Sequence, residues 1–127
     1  MAWMYRGAYV MNGIKFLADT NAVIYLLSGN KCMKPYLKSK LSVSVISFME
    51  LLSSSNISKD EDKTIRGFLS ACDLLQIDDV IMENTIELRR KYKIKLPDAI
   101  IASTAICRGL ALLTADTGFF KIDGISV

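Results

Sequence analysis

Short apolar runs alternate along this chain with longer stretches whose apolar residues fall at helical spacing. Ile14–Ala18 is the first run, brief and mostly apolar, as a buried strand should be. In "TNAVIYLLSGN", Val23, Leu26 and Leu27 fall at i, i+3 and i+4, and Gly29-Asn30 is a helix stop signal. "LSVSVIS" (41–47) alternates Leu41, Val43 and Val45 with Ser42 and Ser44, which marks a second strand. A helix is expected from Ser47. A second, amphipathic one is expected over 60–72, where Ile65, Phe68, Leu69 and Cys72 keep one face. Residues 73–78 suit a third strand, and Asp78 or Asp79 caps a helix running to Tyr92. Pro97 opens a further helix that is apolar on nearly all sides and stops at Arg108-Gly109. "LALLTAD" (110–116) is a fourth strand, and "KIDGISV" (121–127) suits a fifth, at a sheet edge.

Strands that alternate with helices imply an α/β fold: a mainly parallel five-stranded sheet with helices on both faces. Ligands of such sheets bind beyond the carboxyl ends of the strands. A chain of 127 residues suits one domain, 1–127, although residues 1–12 fit no strong pattern and read as an extension outside the core. No apolar run approaches the ~20 residues of a membrane span, and the first residues lack a signal-peptide pattern. A cytoplasmic protein with no membrane partner is the expectation.

The chain has no histidine. That excludes Ser-His and Cys-His nucleophiles, imidazole acid–base catalysis and histidine-bound zinc. The three cysteines, Cys32, Cys72 and Cys107, are widely spaced and suggest buried thiols rather than a disulfide or metal framework. Enzymatic chemistry would therefore come from carboxylates, Lys, Tyr, Ser/Thr or a bound ion. Net charge is only +3, too mild to prove a polyanionic partner. Its distribution is more suggestive: "RRKYKIK" (89–95) carries five basic residues and "KCMKPYLKSK" (31–40) four lysines. The first is open to two readings, cations on a helix dipole or phosphate contacts. The second is equally a solvated surface.

Four acids fall where strand ends and helix starts would share one crevice. Asp19 follows the first strand, Glu50 lies one turn into the helix after the second, Asp98 starts the buried helix, and Asp116 follows the fourth strand. Each has a plainer explanation. Asp19 suits an N-cap, Ser47-x-x-Glu50 a capping box, Asp98 a dipole partner and Asp116 a turn. Together, four carboxylates in one crevice repel each other, and a hard divalent cation such as Mg²⁺ relieves that repulsion. Phosphodiester hydrolysis is the reaction class that such an ion serves without histidine.

The segments "FLADTNAVIYLL", "VSVISFMELL", "KLPDAIIASTA" and "LLTADTGFFKIDGISV" carry these acids, and in this order they resemble the signatures of the PIN domain family. The resemblance runs from Ile14 to Val127 and is nearest to the VapC-type toxins of bacterial toxin–antitoxin pairs. It implies a ribonuclease dependent on Mg²⁺ or Mn²⁺, neutralised by an antitoxin protein and dimeric. It also implies that Asp19 and Asp98 are metal ligands. Glu50 and Asp116 complete the site, directly or through water. Asn21 and Thr114 match positions near the family's site, although local capping explains both more simply. Two alternatives stand beside this reading. A non-catalytic RNA-binding or scaffold module would have lost an acid, and all four are present. Another Mg²⁺-dependent phosphoesterase with an aspartyl nucleophile would favour D-x-D, whereas "TNA" follows Asp19.

Overall fold

The computed structural model describes residues 15–29 and 41–125. The basic segment 31–40 and the extension 1–12 lie outside them. Four strands form one sheet: β1 (Phe16–Ala18), β2 (Leu41–Ser44), β3 (Asp73–Leu75) and β4 (Ala111–Leu113). They lie in the order β3-β2-β1-β4, and every pairing is parallel. Five helices accompany them: α1 (Thr20–Leu27), α2 (Val45–Leu52), α3 (Lys59–Ser70), α4 (Asp79–Lys91) and α5 (Leu96–Arg108).

Register sorts the strand side chains into two cores. Phe16 pairs with Leu41 and Ala18 with Val43 and Leu113, and these side chains pack with Ala22, Val23 and Leu26 of α1 and Leu69 of α3. Leu17 pairs with Leu112, and both pack on the other face with Leu88 of α4 and Ile101, Ala102 and Ala105 of α5. Alternate residues of one strand therefore feed opposite cores, as the period of 2 requires. Burying each such Leu or Phe stabilises the fold by roughly 1.5–3 kcal/mol. Helices cover both faces, as expected for a parallel sheet.

The expected fifth strand does not appear among the described residues of 121–127. Thr117–Lys121 is a 3-10 helix, and Gly124 turns the chain at φ 87°. Phe119, Ile122 and Ile125 all enter the core of α4 and α5. Their spacing of three suits a tight helical turn rather than a strand. The second helix also starts two residues earlier than expected. Ser44 is its N-cap, accepting from the Ile46 amide at 3.2 Å, so Ser47 lies inside the helix and is no capping residue. Gly109 closes α5 in the left-handed conformation, φ 64°, where glycine avoids the Cβ penalty.

Candidate functional site

Strand order reverses beside β1, since β2 lies on one side of it and β4 on the other. The crevice of an open parallel sheet falls at such a point, beyond the carboxyl ends of the two strands. Asp19 leaves β1 there, and Thr114 leaves β4.

Asp19 is 6% exposed, so its carboxylate needs compensation from the protein. Its Oδ1 accepts from the Ala22 amide at 2.8 Å, capping α1 as expected. Its Oδ2 accepts from the Thr114 hydroxyl at 2.5 Å. The same hydroxyl oxygen accepts from the Asp116 amide at 3.0 Å. Thr114 is thus more than a local cap. It links β4 to the β1 carboxylate and sets the turn that carries Asp116. Asp116 itself is exposed, and its Oδ1 accepts from the Gly118 amide at 2.8 Å, the turn role foreseen for it.

Glu50 is held by a chain of hydroxyls. Thr20 Oγ1 donates to Glu50 Oε1 at 2.7 Å and lies 2.8 Å from Ser47 Oγ. A hydroxyl has one proton, so Ser47, fully buried, donates to Thr20. Sequence reasoning passed over Thr20 and gave Ser47 a different role. The available signals were a hydroxyl directly after Asp19 and another one turn before Glu50. Asp98 stands in the first turn of α5, half-buried. Asn21 lies exposed in the first turn of α1.

Electrostatics ties the four acids together. Burial pushes the Asp19 carboxyl above the ordinary range, against the bonds from Thr114 and Ala22, and the charges of Asp116 and Asp98 add to the rise. Asp98 is raised by burial, then by Asp116 and Glu50, with Lys95 opposing. The links run through Asp98 and Asp116, and none joins Asp19 to Glu50; among the described residues no three such side chains are close enough to form a ready-made metal cage. Asp98 and Asp116 line one cavity of about 270 Å³, with Lys93, Lys95 and Lys121. Glu50 lines a separate groove of about 570 Å³ between α1, α2 and α3.

This geometry suits a cation that keeps part of its water shell. Mg²⁺ is commonly held by one or two direct carboxylates plus waters, and all the donors here are hard oxygens. A divalent charge would also offset the burial and mutual repulsion that raise Asp19 and Asp98.

Residues 16–125 match the model of the PIN domain. Among solved structures, the chain is similar to a toxin–antitoxin complex from Klebsiella pneumoniae, with 35% identity and a TM-score of 0.75, covering 87% of this chain and 95% of that one. It is similar to DNA-bound VapBC from Salmonella typhimurium, with 28% identity and a TM-score of 0.74 over 89% and 96% of the two chains. VapBC2 from Rickettsia felis, bound to a promoter DNA fragment, shares the fold at 21% identity, with a TM-score of 0.79 over 89% and 96%. Among curated protein sequences none matches significantly.

Proposed function

Because the chain belongs to the PIN domain family, we propose that it is a metal-dependent endoribonuclease and the toxin of a toxin–antitoxin pair. One observation carries the nuclease reading: Asp19 is buried at the end of β1 beside β4, where the charges of Asp98 and Asp116 reach it, in a chain without histidine. Asp19 and Asp98 would hold Mg²⁺ or Mn²⁺, with Asp116 and Glu50 completing the shell directly or through water. The ion, when bound, supplies charge that polarises a phosphoryl oxygen and acidifies water.

The chain's own residues do the positioning. Thr114 and the Ala22 amide fix both oxygens of Asp19, and Thr20 fixes one oxygen of Glu50. Asp19 and Asp98 keep protons to higher pH than free carboxylates, so loading the site releases protons and strengthens as pH rises. Water is the nucleophile, since no imidazole is present to recruit the 2′-hydroxyl. The products then carry 5′-phosphate and 3′-hydroxyl ends.

The proposed protein partner is an antitoxin. The Klebsiella, Salmonella and Rickettsia neighbours are toxin–antitoxin complexes, which supports it. On α1, Val23 and Leu26 are buried, while Ile24, and Met49 next to Glu50 on α2, remain about half exposed. These two are the side chains offered to a partner. A homodimer is the proposed assembly of the toxin itself.

The test is incubation of the pure chain with structured RNAs in Mg²⁺ and in EDTA, followed by end-group analysis. Cleavage in Mg²⁺ alone with 5′-phosphate ends is expected. Full-rate cleavage by metal-free protein, or 2′,3′-cyclic phosphate ends, refutes this mechanism.

A further inference from the structure

The two hollows that flank the acids differ in charge. The groove on the Glu50 side is lined by Asp60 and Glu61 and by apolar residues such as Ile24 and Ile65, with no basic residue among the described lining. The cavity on the Asp98 and Asp116 side is lined by Lys93, Lys95 and Lys121. The fold sets these lysines there. Between α4 and α5 the chain is extended, and Tyr92 and Ile94 turn toward the core while Lys93 and Lys95 stay exposed. The Ile94 amide donates to the Tyr92 carbonyl at 3.1 Å, and the Tyr92 hydroxyl accepts from the Asp123 amide at 3.1 Å, which fixes the alternation. Lys121 ends the 3-10 helix after Asp116 and donates to the Lys93 carbonyl at 3.4 Å, joining the two segments into one wall. Two other members of the basic run are used otherwise. Arg89 donates to the Ile94 carbonyl at 3.3 Å, and Lys91 pairs with Asp123 at 3.4 Å.

We infer that the cavity walled by Lys93, Lys95 and Lys121 is a phosphate subsite that seats the RNA backbone on one side of the scissile bond. The inference rests on the nuclease reading and adds a direction to it. The strand leaves the acids along the α4–α5 connection, because Asp60 and Glu61 repel phosphate from the opposite groove. A cavity of about 270 Å³ has room for a backbone phosphate and its sugar. Three point charges on flexible stems contact phosphate without reading bases.

The experiment uses the full chain and fluorescein-labelled single-stranded RNAs of two unrelated sequences. Binding is followed by anisotropy in EDTA over a range of KCl concentrations, and cleavage is followed in Mg²⁺. The variant is Lys93→Gln/Lys95→Gln/Lys121→Gln, and the control is Lys59→Gln/Lys63→Gln on α3. The triple variant is expected to lose roughly tenfold in affinity, equally for both sequences, and to flatten the log–log salt slope by about 2, at ~0.7 per phosphate contact. Its KM rises, and the control behaves as the parent. RNA bound and cut by the triple variant with the parental slope and KM overturns the subsite alone. RNA neither bound nor cut by the parent overturns the nuclease reading and this inference with it.

Discussion

Thr114→Val isolates the bond that ties β4 to Asp19. Valine keeps the shape of a fully buried side chain and deletes its hydroxyl. Asp19 Oδ2 then loses a hydrogen bond to a charged acceptor, worth about 1.5–3 kcal/mol, and the Asp116 amide loses its acceptor. A net loss of about 2 kcal/mol is expected at neutral pH, or roughly 6–10 °C in melting temperature for a domain of this size. The pH dependence is the sharper test. Burial raises the folded pKa of Asp19, and the Thr114 bond holds that rise in check. Deleting the bond lifts the folded value further above the unfolded one, so the native state binds more protons across that window. Stability then falls as pH rises through it. The gap between parent and variant is therefore widest above the folded pKa of Asp19. Near pH 4 it shrinks to about 1 kcal/mol, the worth of a bond between neutral groups. Urea unfolding in EDTA at pH 4 and pH 8 measures both gaps, with Thr114→Ser as the variant that restores the hydroxyl. A gap that does not change with pH, or a serine no better than valine, refutes the reasoning.

Asp98→Asn removes a carboxylate that burial and the charges of Asp116 and Glu50 raise, with little change of shape. In EDTA at neutral pH it is expected to melt at or above the parent, and to lose most of the parent's gain from Mg²⁺, roughly 1.4 kcal/mol at ten times the dissociation constant. A fall of several degrees without metal, together with the full Mg²⁺ gain, counts against a shared ion. Ser47→Ala leaves Thr20 without its buried donor. It is expected to cost about 1 kcal/mol in urea unfolding and to slow RNA cleavage through a mobile Glu50, whereas a capping role for Ser47 would leave cleavage unchanged.

What the sequence made legible was whatever local periodicity dictates. Strands β1 and β4 and the helix α5 show as apolar runs, because both faces of the sheet are covered, whereas β2 shows as alternation of Leu41 and Val43 with Ser42 and Ser44. The edge strand β3 came out short, since only one neighbour orders it and two of its three residues are exposed. The tail misled because Ile122 and Ile125 are apolar at a spacing that fits neither alternation nor a full α-helix, and only the core beneath them decides the turn. For the site, four acids at element ends were visible as a pattern, and their electrostatic linkage follows the topology. The hydroxyls that orient them were harder to see. Thr114 meets Asp19 across 95 residues and Thr20 meets Ser47 across 27, and no local signal spans such separations. Lys121 joins Lys93 across 28 residues for the same reason.

The place of β1 between β2 and β4 also sets an order of events during synthesis. β2 follows β1 closely in the chain and pairs with it, Phe16 opposite Leu41, but the other edge of β1 waits for Ala111. Chains are made from the N-terminus, and long-range pairings form late because their loops must close first. Until Thr114 at the end of β4 arrives, Asp19 lacks the hydroxyl that its Oδ2 accepts from. The nascent protein cannot assemble its acidic crevice before Thr114 and Asp116 have been translated. On the proposed nuclease reading, a growing chain is thereby kept inactive until that point.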